Sequence, residues 1–197
     1  MINNRNSKII RKTKETCVSV ELNLDKCFLP SISTTIGFLD HMLNLFAVHS
    51  SIGFKIKASG DTYIDEHHLV EDSGITIGKA IKESIGNKKG IMRYGHILLP
   101  MDESLSYVAL DISGRPYLNY EVNLKFQKNG FNYDLIEDFF YAIAINAGIT
   151  LHIKMIKGRN NHHIAESIFK AFGHAFKIAI MLCPKNKNNI LSTKGIL

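Results

Sequence analysis

Apolar and polar residues alternate along two segments of the chain. From 15 to 25, positions 18, 20, 22 and 24 are Val, Val, Leu and Leu. Successive side chains of a β-strand point to opposite faces, so a period of two predicts a strand with one buried face. The segment 103–111 repeats this pattern at an offset of 88 residues, with Glu, Val and Leu at matching places. The two segments therefore predict two related strands.

Two longer segments, roughly 67–86 and 161–182, have apolar residues at the three-to-four-residue spacing of a helix with a broad buried face. They align at an offset of 95 residues, and outside their first turns they share Gly78 with Gly173, Ala80 with Ala175, Lys82 with Lys177 and Ile85 with Ile180. A shorter helix (38–48 or 135–146) and a strand (52–59 or 149–156) are predicted before each. Pro184 and the Lys/Asn-rich segment after it are predicted to end the second long helix.

The order of elements predicts an internally duplicated α+β domain. Each half contains strand, helix, strand and helix, with extra strand material at 97–126 in the second half. We expect a single domain over 1–197, made of two repeats of about 1–90 and 91–197. Neither half alone buries its helices, so the simplest arrangement packs the halves helix to helix with the sheets outside.

A five-residue motif, His-His-x-x-Glu, begins both long helices, at 67–71 and at 162–166. On a helix the first histidine and the glutamate lie one turn apart on the same face. Adjacent histidines point about 100° apart, so one pair serves two metal ions more naturally than one. One such pair is more often a capping or surface feature. Two copies on repeated helices instead indicate a dinuclear site or two symmetry-equivalent sites, with ligands that suit Mn, Fe, Zn or Ni.

Two further histidines are candidate ligands that do not follow the repeat. His41 lies early in the first short helix and aligns with Asp138, while His152 lies on a predicted strand and aligns with Lys55. His152 belongs to the strand face opposite its apolar neighbours. For His41, a partly buried structural histidine is the equally reasonable interpretation.

Composition and charge limit the class of protein. The chain of 197 residues is 45% hydrophobic and 21% charged, which is ordinary for a globular protein. No apolar run approaches the ~20 residues of a membrane span, and the N-terminus lacks the apolar core of a signal peptide. Three cysteines without zinc spacing predict reduced thiols and a cytoplasmic location. The net charge of +6 comes from basic residues spread along the chain, which does not favour nucleic-acid binding.

Anion binding is predicted at two places. Only five of the 24 basic residues are arginines, and Arg93 and Arg115 lie near glycines at predicted strand ends. The C-terminal loop 192–195, Ser-Thr-Lys-Gly, is of a kind that can wrap a phosphate, although a frayed tail is the simpler interpretation. Glu15, by its position alone, is a solvated carboxylate at a strand end.

Six segments together resemble imidazoleglycerol-phosphate dehydratase of histidine biosynthesis. They are 37–43 (Gly-Phe-Leu-Asp-His-Met-Leu), 65–72 (Asp-Glu-His-His-Leu-Val-Glu-Asp), 101–103 (Met-Asp-Glu), 111–116 (Asp-Ile-Ser-Gly-Arg-Pro), 161–166 and 192–195. The resemblance covers about residue 7 to residue 197. It implies two β-sheets flanking a four-helix layer, with ribosomal protein S5 domain 2-like halves. It also implies a homo-oligomer of 24 subunits with two Mn2+ ions per active site, between subunits, and no nucleic-acid or membrane partner.

The reaction implied by the resemblance is dehydration of D-erythro-1-(imidazol-4-yl)glycerol 3-phosphate to 3-(imidazol-4-yl)-2-oxopropyl phosphate, by way of a metal-bound imidazolate. The C–H bond to be broken is not next to a carbonyl, so it lacks enolate activation. Cations at the ring nitrogens would lower the pKa of the ring N–H and let the ring expel the adjacent hydroxyl. A carboxylate would then remove the neighbouring proton.

The resemblance also assigns roles to individual residues. The implied metal ligands are His41, His67, His68, Glu71, His152, His162, His163 and Glu166. The implied substrate and phosphate ligands are Arg93, Arg115, Ser192 and Lys194. The implied catalytic carboxylates are Glu15, Glu166 and Glu71, and which of them acts at which step stays open. The chain has Asn44-Leu45 where the family commonly has Asp-Gln, so Leu45 cannot hydrogen-bond a substrate.

Two other functions remain as alternatives at this stage. A metallohydrolase acting on a phosphorylated substrate would use the same ligands to activate water. A metal-storage or nucleic-acid-binding protein would explain the histidine content and the basic charge. The chain lacks the Asp-x-Asp pattern of a fused histidinol-phosphate phosphatase, and the physiological metal, Mn or Fe, stays open.

Overall fold

The computed structural model describes residues 5–125, 130–184 and 189–197. The elements of the first half are β1 (Asn6–Lys12), β2 (Thr16–Asn23), β3 (Ser31–Ser33), α1 (Gly37–Ser50), β4 (Gly53–Gly60) and α2 (His67–Ile85). Those of the second half are β5 (Tyr94–Met101), β6 (Ser104–Asp111), β7 (Tyr117–Glu121), α3 (Leu135–Ala147), β8 (Thr150–Lys157) and α4 (Asn161–Ile180).

The two halves have the same sheet topology. The strand order is β1-β2-β4-β3 in one sheet and β5-β6-β8-β7 in the other. In each sheet the first three strands are antiparallel, and the last strand, β3 or β7, is parallel to its neighbour. The duplicated α+β fold predicted from the sequence is thereby confirmed.

Two strands, β1 and β3, were not predicted from the sequence. β1 lies at the edge of its sheet, and most of its side chains are exposed or half-buried, so its alternation is weak. β3 has only three residues. The strand material expected at 97–126 corresponds to the hairpin of β5 and β6 followed by β7, and residue 126 lies outside the described residues. Helix α4 ends at Ile180, before the expected limit of 182, and the Lys/Asn-rich segment 185–188 lies outside the described residues.

The helices lie between the sheets and cross from one half to the other. Helix α2 covers β1 and β2 and packs against α3, while α4 covers β5 and β6 and packs against α1. Phe46 of α1 illustrates this, because its ring contacts Phe54 of β4 at 5.8 Å and Phe172 of α4 at 5.1 Å between centroids. Each long helix thus buries its second face against the short helix of the opposite half.

Small residues permit these two crossings. A Cβ atom on Gly78 of α2 would lie 2.8 Å from the Cβ of Asn146 and 2.9 Å from the carbonyl of Ile143, both on α3. A Cβ on Gly173 of α4 would lie 3.0 Å from the carbonyl of Phe46 on α1. The glycines that match at an offset of 95 residues therefore occupy equivalent helix contacts. Within the described ranges, none of the helices is long and apolar enough to cross a membrane.

Replacing Gly78 with valine should destabilise the protein, because the new side chain would overlap the backbone of α3. Overpacking of this kind typically costs about 1–3 kcal/mol of unfolding free energy. Chemical denaturation would measure the change, with Lys79→Val as the control, since Lys79 is the exposed neighbour on the same helix. Equal stabilities of the two variants would contradict the close helix crossing.

Candidate functional site

Both histidine pairs lie in the first turn of a long helix and are held there by polar caps. Asp65 Oδ1 accepts a hydrogen bond from the backbone N–H of His67 at 2.8 Å, and Asn160 Oδ1 accepts one from that of His162 at 2.9 Å. The ring centroids of His67 and His68 are 6.1 Å apart, and the ring planes are inclined at 75°. In the second pair the centroids are 6.4 Å apart and the planes are inclined at 73°. The two rings of each pair therefore diverge in the same way, which agrees with one pair serving two ions.

One three-residue group, which we call the His41 cluster, joins α1 to α4. His41 Nε2 lies 2.8 Å and His162 Nε2 lies 3.0 Å from the same oxygen, Oε1 of Glu166. One ligand atom from each residue lies within 4.8 Å of the other two. Two imidazoles and one carboxylate thus converge on a common point, because α1 packs against α4.

Glu166 is an anion within this cluster. Burial raises the pKa of its carboxyl group, but hydrogen bonds from Lys170 and His41 and the charge of Lys170 outweigh the burial and lower the pKa to about 2. Lys170 Nζ lies 2.6 Å from the second oxygen, Oε2. Since Lys170 occupies Oε2, Oε1 is the oxygen that faces the two imidazoles.

The equivalent positions of the other half are His67 and Glu71 on α2 and Asp138 on α3. His67 Nδ1 lies 3.5 Å from Asp138 Oδ2. Glu71 is exposed one turn further along α2. Asp138 was not among the sequence-predicted ligands, although the repeat alignment pairs it with His41 and could have identified it.

The second histidine of each pair is oriented by a carboxylate. His68 Nδ1 lies 3.0 Å from Asp61 Oδ2, and His163 Nδ1 lies 2.8 Å from Glu103 Oε2. A carboxylate at Nδ1 fixes the ring and leaves Nε2 available to a metal. The hydrogen bond to Asp61 raises the pKa of His68, and the one to Glu103 raises the pKa of His163. No sequence signal marked Asp61, which lies just after a strand.

Glu15 and Glu103 are equivalent in the repeat but differ in their surroundings. Hydrogen bonds from His163 and from the backbone N–H of Asn160 lower the pKa of Glu103 to about 2. Glu15 Oε2 lies 3.9 Å from His68 Nδ1, and its side chain is 57% exposed. Among the described residues, the Glu15 carboxylate accepts no hydrogen bond, so its oxygens face solvent and the histidine.

His152 lies apart from these clusters within one chain. It is exposed on β8, on the sheet face opposite the buried Leu151 and Ile153, with its ring 5.7 Å from that of Tyr117. The structure therefore does not bring it together with the other predicted ligands. A metal role for His152 would require a neighbouring copy of the chain.

The four predicted phosphate ligands line one cavity of about 460 Å³. Arg93, Arg115, Ser192 and Lys194 share it with apolar residues of the C-terminal loop and with Tyr94. The guanidinium of Arg115 is largely exposed and lies 3.9 Å from Asp111. Arg115, Ser192 and Lys194 are the groups available to an anion there.

Arg93 is mostly committed to the protein itself. Its Nε and Nη2 atoms donate to the two oxygens of Asp111 at 2.6 and 3.0 Å, and Nη1 donates to the carbonyl of Leu191 at 2.6 Å. The ion pair with Asp111 raises the pKa of Arg93, so its charge is permanent. We infer that Arg93 holds the C-terminal loop against the sheet as well as contributing positive charge to the cavity.

The His41 cluster and the cavity lie at opposite ends of α4. Glu166 belongs to the second turn of α4, whereas the backbone N–H of Arg93 donates to the carbonyl of Ala179 in its last turn, at 2.9 Å. At a rise of ~1.5 Å per residue, Glu166 and Ala179 are about 20 Å apart along the helix. One small ligand cannot contact both places on the same chain.

The donor set fits a transition metal. The convergence of two imidazole nitrogens and a carboxylate oxygen in the His41 cluster matches the ligands of Mn, Fe or Zn, and hard cations such as Ca2+ prefer oxygen alone. The oriented rings of His68 and His163 offer two further nitrogens. The residue types and their spacing therefore fit a metal ion.

Comparison with known proteins gives a consistent result. The family model described as imidazoleglycerol-phosphate dehydratase matches residues 34–176. The protein of that name from Endomicrobium trichonymphae is 75% identical over 193 residues, which is 98% of each chain. The one from Lachnoclostridium phytofermentans is 52% identical, again over 98% of each chain.

Solved structures agree with the sequence relatives. The crystal structure of imidazoleglycerol-phosphate dehydratase from Staphylococcus aureus has a TM-score of 0.79 and 43% identity, and covers 90% of this chain and 100% of its own. The enzyme from Pyrococcus furiosus, in complex with (S)-C348, has a TM-score of 0.83 and 39% identity, and covers 96% and 100%.

We expect the affinity for Mn2+ to fall as the pH is lowered from 8 to 6. A histidine must lose its proton to bind metal, and His68 and His163 have raised pKa values, so protons begin to compete at a higher pH than for an ordinary histidine. Below these pKa values the affinity should fall about tenfold per pH unit for each such histidine. Titration followed by the electron paramagnetic resonance signal of free Mn2+ would measure it, and a constant affinity over this range would contradict the role of these imidazoles.

Proposed function

Because the chain belongs to the imidazoleglycerol-phosphate dehydratase family, whose members are hydro-lyases of histidine biosynthesis, we propose that it dehydrates D-erythro-1-(imidazol-4-yl)glycerol 3-phosphate to 3-(imidazol-4-yl)-2-oxopropyl phosphate. The observation that carries the proposal is the His41 cluster, in which two imidazoles and an anionic carboxylate converge. Such a cluster suits a reaction that needs a cation beside an azole ring.

We propose two Mn2+ ions per active site, held by residues of both halves. His41, His162 and Glu166 would hold one ion, and His67 and Glu71 would contribute to the second, with Asp138 in the place of His41. His68, His163 and the exposed His152 would add ligands from neighbouring copies. When bound, the cations would stabilise negative charge on the imidazole ring of the substrate.

Among the carboxylates, Glu15 has the surroundings of a proton-transfer group. Its oxygens are free of hydrogen bonds within the described part of the chain, and it lies beside His68. Glu166 and Glu103 have pKa values of about 2, so neither is suited to accept a proton and release it again near neutral pH. We therefore assign proton transfer to Glu15 and metal binding to Glu166. We assign metal binding also to Glu71, because it occupies the position in the first repeat that Glu166 occupies in the second.

The phosphate of the substrate would bind in the cavity at the C-terminal loop. Arg115 and Lys194 would supply positive charge and Ser192 a hydroxyl donor, while Arg93 holds the loop in place. Phosphate binding by fixed cations orients a substrate without taking part in bond breaking.

Leu45 packs partly against the hydrophobic core and makes no polar contribution.

A complete site must then form between copies of the chain. Glu166 of the His41 cluster and Ala179, which bonds to Arg93 of the phosphate cavity, are about 20 Å apart along α4. That distance is longer than an imidazole ring, three carbons and a phosphate. The cavity of one copy would therefore face the metal ligands of another. The homo-oligomer of 24 subunits implied by the family resemblance would bring copies together.

The reaction is tested directly with purified protein, Mn2+ and imidazoleglycerol phosphate. We expect the keto phosphate product and no inorganic phosphate, whereas release of inorganic phosphate without a ketone would favour a metallohydrolase. Glu15→Gln should lower kcat by about 10²- to 10⁴-fold, because it removes the proton-transfer group. Glu21→Gln is the control, since Glu21 lies on β2, the strand that follows Glu15, and within the described residues its ion pairs are with lysines. Equal kcat values for both variants would contradict the role of Glu15.

Lys194→Ala should act mainly on substrate binding. Loss of one charge-assisted contact to phosphate typically corresponds to a rise in KM of about 10- to 100-fold, with a smaller decrease in kcat. Steady-state kinetics would measure both constants. Lys57→Ala is the control, since Lys57 is an exposed lysine on β4, in the sheet of the first half. An unchanged KM in Lys194→Ala would remove the C-terminal loop from the phosphate site.

A further inference from the structure

The turn that carries Glu15 is held by hydrogen bonds between its own residues. Thr13 Oγ1 accepts hydrogen bonds from the backbone N–H groups of Glu15 and Thr16, at 3.1 and 2.9 Å. The backbone N–H of Thr13 donates to the carbonyl of Thr16 at 2.9 Å. Glu15 is therefore placed by the turn between β1 and β2, and its carboxylate takes no part in holding that turn.

A buried carboxylate on α2 clamps both strands beside this turn. Asp72 is 5% exposed and follows the predicted ligand Glu71. Arg11 Nε, at the end of β1, donates to Asp72 Oδ1 at 2.7 Å, and Thr16 Oγ1, at the start of β2, donates to Oδ2. One side chain thus connects the helix of the first histidine pair to the two strand ends on either side of Glu15.

The fold itself does not require this clamp. A buried ion pair loses much of its attraction to desolvation, so it is weak support for stability. In the second half, Ser167 occupies the position of Asp72 and bonds to Ser106 at 2.6 Å, and Leu99 occupies the position of Arg11. The same sheet and helix therefore pack there with neutral residues.

The clamp formed by Asp72, Arg11 and Thr16 lies in the first half, where the Glu15 carboxylate accepts no hydrogen bond from the described residues. Two hydrogen bonds fix the carboxylate of Glu103, one from His163 and one from the backbone N–H of Asn160. Glu15 has no such partner within the described residues. A carboxylate that exchanges a proton with a substrate must keep its oxygens free, so it has to be positioned through its backbone instead.

We propose that Asp72 is a positioning residue, which sets the distance between Glu15 and His68 by tying the β1–β2 turn to α2 through Arg11 and Thr16. The inference rests on the proposed function, because it assigns Asp72 a role through Glu15. A displacement of about 1 Å at a reacting group can cost about 10²-fold in rate.

Two substitutions test the clamp. Asp72→Asn removes the charge that pairs with Arg11, and Thr16→Val removes the hydroxyl that donates to Asp72. We expect each to lower kcat about 10- to 100-fold with KM within about twofold of the wild type and unchanged Mn2+ content. Thr16→Ser, which keeps the hydroxyl, should restore most of kcat. Glu21→Gln, which breaks an exposed ion pair on the same hairpin, should leave both constants unchanged.

A double-mutant cycle separates positioning from simple destabilisation. In the Glu15→Gln background, Asp72→Asn should lower kcat by less than about twofold, because the carboxylate that Asp72 positions is already absent. Full additivity, or loss of Mn2+ on Asp72→Asn alone, would overturn the proposal. Failure of the wild-type enzyme to form ketone would instead refute the proposed function.

A crystal structure of Asp72→Asn gives a readout that does not depend on activity. We expect the β1–β2 turn, and Glu15 with it, to shift relative to His68 while β5 and β6 keep their places. An unmoved turn would overturn the clamp whatever reaction the enzyme catalyses.

Discussion

The packing of each long helix on the short helix of the other half is the contact on which the rest of the structure depends. It brings α1 to α4 and α3 to α2, and it places His41 beside His162 and Glu166. The His41 cluster cannot form within one half, since His41 lies on the short helix of the first repeat and His162 and Glu166 lie on the long helix of the second. The hydrophobic core and the candidate metal site therefore form by the same packing event.

Divergence between the repeats gives chemically different roles to equivalent positions. Glu103 is locked as an anion by His163, whereas Glu15 is free beside His68. An aspartate in one half, Asp138, stands where the other has His41. The duplication thus supplies a common frame, and equivalent carboxylates on that frame have different surroundings, hydrogen-bonded at Glu103 and exposed at Glu15.

Much of the fold followed from the sequence because the repeat was visible in it. The starts of α2 and α4, at His67 and Asn161, agree with the apolar spacing and the histidine motif. The crossing of helices between halves could not be predicted, since periodicity shows which face is buried but not which neighbour covers it. The histidines and the glutamate of the His41 cluster were among the residues expected from the motifs and the resemblance. Asp61 had no signal in the sequence, because only the fold of its turn brings it to His68. His152 differs from Asp61, because it was expected as a metal ligand but lies on an exposed sheet face, away from the His41 cluster.

The length of α4 has a consequence for how an assembly would work. If its first turns serve one pocket and its last turn borders another, each chain is a partner in two sites at once. A mixture of chains defective at only one end and chains defective only at the other would then contain some intact pockets, so two inactive variants would complement one another. Catalysis would then depend on contacts between neighbours, and dilution into separate chains would abolish it.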